Sequence, residues 1–108
     1  SYAYVEPIVL KRIEKRQFLK SKPVCKVTFK FKAEAENMSL VGDFNAWDET
    51  ANPMKKAKDG TFSVSVEMES GREQQFRYLA DGRKWLNDEA ADKYVTTALG
   101  SENSVVIL

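Results

Sequence analysis

Cys25-Lys26-Val27-Thr28-Phe29-Lys30-Phe31-Lys32-Ala33 alternates apolar with polar side chains at every step. A period of two sends successive side chains to opposite faces of an extended chain, so this stretch predicts a strand with one face buried. The period returns downstream. Phe62, Val64, Val66 and Met68 alternate with Thr61, Ser63, Ser65 and Glu67, and Phe76, Tyr78 and Ala80 alternate with Arg77, Leu79 and Asp81. Met38 to Val41, stopped by Gly42, and Val105 to Leu108 supply two more strands. Asp59-Gly60, Ser70-Gly71 and Asp81-Gly82 are turn dipeptides spaced 11 residues apart. Short alternating strands with turn signals at such intervals predict an all-β sandwich. No strong helix is read after residue 20, apart from a turn around Asp88–Lys93.

The first residues read differently. Ile8, Val9, Leu10, Ile13 and Phe18 sit among Lys, Arg and Glu without a glycine, and Pro7 is placed to open a helix. A short amphipathic helix over about 8–19, or a basic arm, is therefore expected over 1–22, with the sandwich taking 23–108. Pro23 marks the boundary. Ser1 in place of Met reads as a processed product or a fragment of a longer chain.

The chain has 108 residues, 43% of them apolar and 31% charged, enough for the core of one domain. It has no histidine, which excludes His-dependent triads, imidazole acid–base chemistry and His-ligated metals. Its one cysteine, Cys25, excludes an internal disulfide and a Cys-rich zinc site, and fits a reducing, cytoplasmic location. No apolar run approaches the roughly 18 residues that span a bilayer, so no membrane partner is expected. No signal-peptide pattern opens the chain. Seventeen bases against 16 acids leave +1, which argues against nucleic acid as a partner.

Enzymatic readings find little support. Asp43 with Asp48, or Asp88 with Asp92, could make a carboxylate pair for glycoside hydrolysis, but each lies in a polar, turn-like segment and reads as a solvated turn former. Cys25 is in phase with Val27 and Phe29 and reads as a core residue. No nucleophile elbow, phosphate loop or dinucleotide fingerprint is present. The expectation is a non-enzyme without metal or cofactor.

Val41-Gly42-Asp43-Phe44-Asn45-Ala46-Trp47 says more. A strand ends at Gly42, and Asp43 and Asn45 can hold a turn through their side chains. Trp47 then lies in a polar stretch. Trp85 likewise follows the Asp81-Gly82 turn among Arg83, Lys84, Asn87 and Asp88. Two exposed indoles on one surface would suit a neutral sugar, whose axial C–H face is apolar while its equatorial hydroxyls want amides, hydroxyls and a cation. Arg77, on the opposite side of its strand from Phe76 and Tyr78, is expected to point outward. Ser101 and Asn103 offer a hydroxyl and an amide in the loop after Gly100.

Gly42-Asp43-Phe44-Asn45-Ala46-Trp47, then Phe76-Arg77-Tyr78-Leu79-Ala80-Asp81-Gly82 with Trp85 close behind, then Leu99-Gly100-Ser101-Glu102-Asn103-Ser104, resemble carbohydrate-binding module family 48. That family includes isoamylase and branching-enzyme N-terminal domains and the glycogen-binding domain of the AMP-activated protein kinase β subunit. The resemblance runs over about residues 24–108. Leu19 to Phe29 is similar also to the small stand-alone bacterial isoamylase early set domain proteins. It implies an immunoglobulin-like β-sandwich that binds α-1,4-glucans such as glycogen or starch, as polysaccharide or maltooligosaccharide, with no catalysis of its own. The family's two stacking aromatics fall on Trp47 and Trp85, its strand lysine on Arg77, and its loop leucine, threonine and asparagine on Leu99, Ser101 and Asn103. The sequence departs from the pattern in carrying Arg77 for lysine, Ser101 for threonine, two residues (Arg83 and Lys84) before Trp85 where one is usual, and Asp88-Glu89 where Asp-Pro is common.

Charge is unevenly spread. From Lys11 to Lys32 nine bases face one acid, Glu14, so this segment carries +8 and the rest of the chain −7. One reading makes Lys26, Lys30 and Lys32 the solvent face of an edge strand, guarding it against pairing. Another makes segment 11–32 a dock for an acidic protein partner, such as the −7 remainder of another copy, or a non-specific contact with nucleic acid. A sandwich that has lost its sugar site and docks onto a glycan-active enzyme or another protein is the alternative to glucan binding.

Overall fold

In a computed structural model that describes residues 2–15 and 18–108, with side chains from residue 23 onward, the described residues form nine strands in two antiparallel sheets. These are β1 (Tyr2–Lys15), β2 (Phe18–Lys32), β3 (Met38–Gly42), β4 (Lys55–Lys56), β5 (Thr61–Glu69), β6 (Glu73–Ala80), β7 (Lys84–Leu86), β8 (Lys93–Thr96) and β9 (Glu102–Ile107). The first sheet runs β1-β2-β5-β4, the second β3-β6-β9-β8. β3 takes one edge of β6 over its last five residues, so β7 and β9 share the other edge end to end. This is the two-sheet sandwich that the period-two runs predict.

The alternation decides what is buried. Val27, Phe29, Leu40, Phe76 and Tyr78 expose no surface at all. Phe29 meets Phe76 edge-on with ring centroids 5.0 Å apart, and Phe31 stacks on Tyr78 at 4.1 Å. Such pairs add about 0.5–1.5 kcal/mol each beyond the area they bury. Cys25 belongs to the same core, with its Sγ 3.1 Å from Ser70 Oγ.

The N-terminal segment is an arm in strand form, and the helix expected over about 8–19 is absent where the chain is described; residues 16 and 17 lie outside the described residues. Ile8 stands opposite Val24 and Lys11 opposite Lys22, so two residues of β1 share the place of Pro23. Proline has no N–H to give the ladder, and a bulge is the expected result. β2 is consequently an interior strand, flanked by β1 and β5. The edge-strand reading of Lys26, Lys30 and Lys32 falls with that, and the three stand on the outer face of the first sheet. No helix among the described residues is long and apolar enough to cross a membrane.

Gly42 is fixed by space rather than by backbone freedom. A Cβ there would lie 2.5 Å from the Gln75 carbonyl oxygen, 2.7 Å from Phe44 Cε2 and 2.9 Å from Phe76 Cβ. Two of these atoms belong to the core or the backbone and have nowhere to move. Gly42→Ala is expected to cost about 1–3 kcal/mol, the range for overpacking. In thermal unfolding that is a drop of roughly 4–8 °C per kcal/mol for a domain of this size.

Candidate functional site

The candidate site on the outer face of the second sheet is assembled from two loops and three strands. After β3 the chain enters a single 3-10 turn, Asp43–Asn45. Asn45 Oδ1 accepts the Gly42 N–H at 3.0 Å, while its Nδ2 donates to the Leu40 carbonyl and to Asn52 Oδ1. Ala46 and Trp47 then adopt φ of 56° and 58°, and the Trp47 N–H donates to the Gly42 carbonyl at 2.9 Å. Two successive non-glycine residues in the left-handed region cost about 1–2 kcal/mol apiece. The side-chain bonds of Asn45 hold the turn against that cost, which places Trp47, half-buried, over the sheet. Its indole Nε1 donates to Asp43 Oδ1 at 3.1 Å, and Asp43 Oδ2 accepts the Gln75 N–H at 2.7 Å.

Arg77 alternates with buried Phe76 and Tyr78 and so stands on the outer face. Its Nε donates to Asn103 Oδ1 and its Nη2 to Ser101 Oγ at 2.7 Å. Two of the five guanidinium donors are spent in this way. Asn103 is 8% exposed, and its Nδ2 donates to Gln75 Oε1 at 3.0 Å. Its main part in the geometry is therefore to orient Arg77.

The hairpin between β8 and β9 closes through Thr97 N–H to the Ser101 carbonyl at 2.7 Å and Gly100 N–H to the Thr97 carbonyl at 3.0 Å, with Gly100 at φ 84°. This is the three-residue hairpin geometry that favours glycine at its left-handed position. It leaves Leu99 96% exposed at the tip. Trp85, on β7, stands opposite Leu79, an outward position of β6, and is 40% exposed. Arg83 and Lys84 therefore do not turn it away: positive φ at Asp81 and Gly82 reverses the chain and sets the pairing.

Trp47, Trp85, Arg77, Leu99, Ser101 and Asn103 line one shallow depression of about 310 Å³ together with Thr97. Beneath them Val41, Leu79 and Val105 fall on the same face by register, yet are only 0, 3 and 1% exposed. Sequence reasoning missed Thr97, whose Oγ1 lies 2.8 Å from Ser101 Oγ, and missed the links through Asp43 and Gln75. Thr97 had a readable signal, the hairpin around Gly100; Gln75 had none.

The carboxylates do not gather for catalysis. Asp48 accepts both the backbone N–H and the hydroxyl of Thr50, and these bonds hold its carboxyl below the usual value of 3.8. Asp92 accepts the Ile107 N–H. Asp88 is not the solvated turn former that its polar neighbours predict. At 1% exposure it accepts the Tyr78 hydroxyl at 2.7 Å and the Ala90 N–H at 2.9 Å, and its own N–H donates to Ser104 Oγ. Burial first, then the Asp88 charge, push the Tyr78 phenol well above its usual range. Tyr94 donates its hydroxyl to the Asp88 carbonyl, so one residue binds the chain after β7 to β6, β9 and β8. Among the described residues no cluster of three His, Cys, Asp or Glu could hold a metal ion.

The depression offers two indoles, a pinned guanidinium with donors to spare, and two hydroxyls. That is equipment for holding a polyol.

A family model described as Carbohydrate-binding module 48 (Isoamylase N-terminal domain) matches residues 20–98. The matched range takes in Trp47, Arg77 and Trp85 and ends one residue before Leu99. The chain is also 32% identical over 74 residues to Protein PTST homolog 2, chloroplastic, of Arabidopsis thaliana, a match covering 68% of this chain and 13% of that protein.

Proposed function

From the premise that this chain belongs to the carbohydrate-binding module 48 family, and so is a non-catalytic carbohydrate-binding module, we propose that its ligand is an α-1,4-glucan such as glycogen or starch. Trp47 and Trp85 stack on glucose units, Arg77 donates to their hydroxyls, Asn103 and Ser101 hold Arg77, and Leu99 packs against the sugar from the hairpin tip. The observation that supports this reading most is the convergence of these six residues on one depression.

If each indole covers about 60 Å² of sugar, ~25 cal/mol/Å² gives about 1.5 kcal/mol apiece. Hydrogen bonds exchanged for water add only ~0.5–1.5 kcal/mol each. After the cost of association, about −4 to −6 kcal/mol remains, a Kd from about 1 mM to tens of μM. Useful attachment to a polymer then comes from many sites acting together.

Electrophoresis through gels with and without glycogen tests the reading. The wild-type protein is expected to be retarded by glycogen, and added salt is expected to leave the retardation unchanged, since the ligand is neutral. Equal mobility in both gels rejects glucan as the ligand.

A protein-docking role is the second reading. It is favoured by Lys26 and Lys32, exposed on the first sheet, the layer opposite the tryptophans, and by the charge of segment 11–32. In this reading 1–22 is a basic arm set against the 23–108 sandwich, and the partner is a glycan-active enzyme such as a glycoside hydrolase or branching enzyme. Buried, free Cys25 fits a reducing compartment, and the cytoplasm is the one we favour. A folded protein that ignores glycogen would leave this reading standing alone.

A further inference from the structure

Beside the candidate face runs a chain of hydrogen bonds that joins residues of the lining to Asp43 and Gln75, which stand outside the depression. Trp47 sits in a loop, and a loop residue needs a second attachment if its ring is to keep one orientation. Asp43 supplies that attachment. One carboxylate oxygen accepts the Trp47 indole N–H at 3.1 Å, and the other accepts the backbone N–H of Gln75 at 2.7 Å. Gln75 lies two residues before Arg77 on β6, and its side chain accepts from Asn103, which in turn accepts from Arg77. Both ligand-facing groups, the indole and the guanidinium, are thus referred to the same residue of the same strand.

The geometry points to Asp43 as a positioning residue that ties the Trp47 ring to β6 and thereby sets its place relative to Arg77, an inference that rests on the glucan reading above. The chemistry requires a carboxylate. Two N–H donors approach from different elements, and an ionised carboxylate has an acceptor oxygen for each. An asparagine has one acceptor oxygen, and its NH₂ would face a second donor. Asn in this position can serve Gln75 or Trp47 but not both. Charge assistance also makes these bonds stronger than neutral ones. A preorganised ring loses less freedom when it meets its ligand, so the lock acts on affinity rather than on contact area.

The test is Asp43→Asn, with Asp43→Ala beside it, read by NMR of the two indole N–H groups in the sugar-free protein and by glucan affinity. In both variants the Trp47 indole resonance is expected to move and to exchange faster with water, while the Trp85 resonance stays in place as an internal control. Glucan affinity is expected to fall about fivefold, the equivalent of one hydrogen bond's net contribution. A role confined to stabilising the turn would lower Tm and leave the indole signal and the affinity of the folded protein as they were. An unchanged Trp47 resonance in both variants overturns the inference. If the wild-type protein ignores glucan but the Trp47 resonance still responds, the functional reading fails and the lock on the ring stands.

Discussion

Trp47→Ala is expected to weaken glucan binding by about tenfold, enough to abolish visible retardation in a glycogen gel. In the glucan reading the indole would contribute roughly 1.5 kcal/mol of apolar burial on a sugar face, and 1.4 kcal/mol is one decade in Kd. Against a starting Kd between about 1 mM and tens of μM, that loss moves the complex beyond the range of a weak-binding assay. The fold should survive, because Trp47 is only half-buried and alanine inherits the same left-handed backbone without adding to its strain. Calorimetric titration with a maltooligosaccharide gives the ratio, and thermal unfolding gives the control. Retention of wild-type affinity by a normally folded Trp47→Ala protein would remove this ring from the site.

Asp88→Ala has the opposite profile, a large loss of stability from a residue that no ligand reaches. Its carboxylate takes the Tyr78 hydroxyl and the Ala90 N–H, and Tyr78 exposes no surface at all. Removing the acceptor leaves a phenol in the core without its partner. Such a group costs about 1–3 kcal/mol, and the lost bonds to a charged acceptor contribute about 1.5–3 kcal/mol more. At roughly 4–8 °C per kcal/mol, Tm should fall by more than 10 °C. Tyr78→Phe deletes the same bond from the other side, so the double variant should lose less than the two single effects combined. Additive losses would show that the two residues act separately.

The sequence is most legible where strands are long. Cys25–Ala33, Thr61–Met68 and Phe76–Asp81 each show enough alternation to declare a buried face, and each became a strand. β4, β7 and β8 have two, three and four residues and leave no period to detect. Ile8, Val9, Leu10 and Ile13 of β1 fit a helix loosely, while the strand it forms comes from pairing along β2 rather than from a period of its own. Trp47, Trp85, Arg77, Ser101 and Asn103 can be singled out as candidates from their sequence surroundings, and Leu99 from the resemblance alone. Asp88 cannot: Asn87 and Glu89 suggest solvent, and only the hydroxyl of Tyr78, ten residues earlier, draws it inside. Asp43 was readable as a turn former, but its hold on Trp47 depends on two left-handed residues that no local pattern announces.

The lining of the depression has one more property. Trp47, Trp85, Leu99, Thr97, Ser101 and Asn103 carry no proton to gain or lose in ordinary solution, and Arg77 supplies the one charge of the lining. These neutral groups therefore keep their character across acid and mildly alkaline conditions. In the glucan reading, the neutral lining carries no switch of its own, and a change in affinity has to come from groups outside it, Asp43 among them.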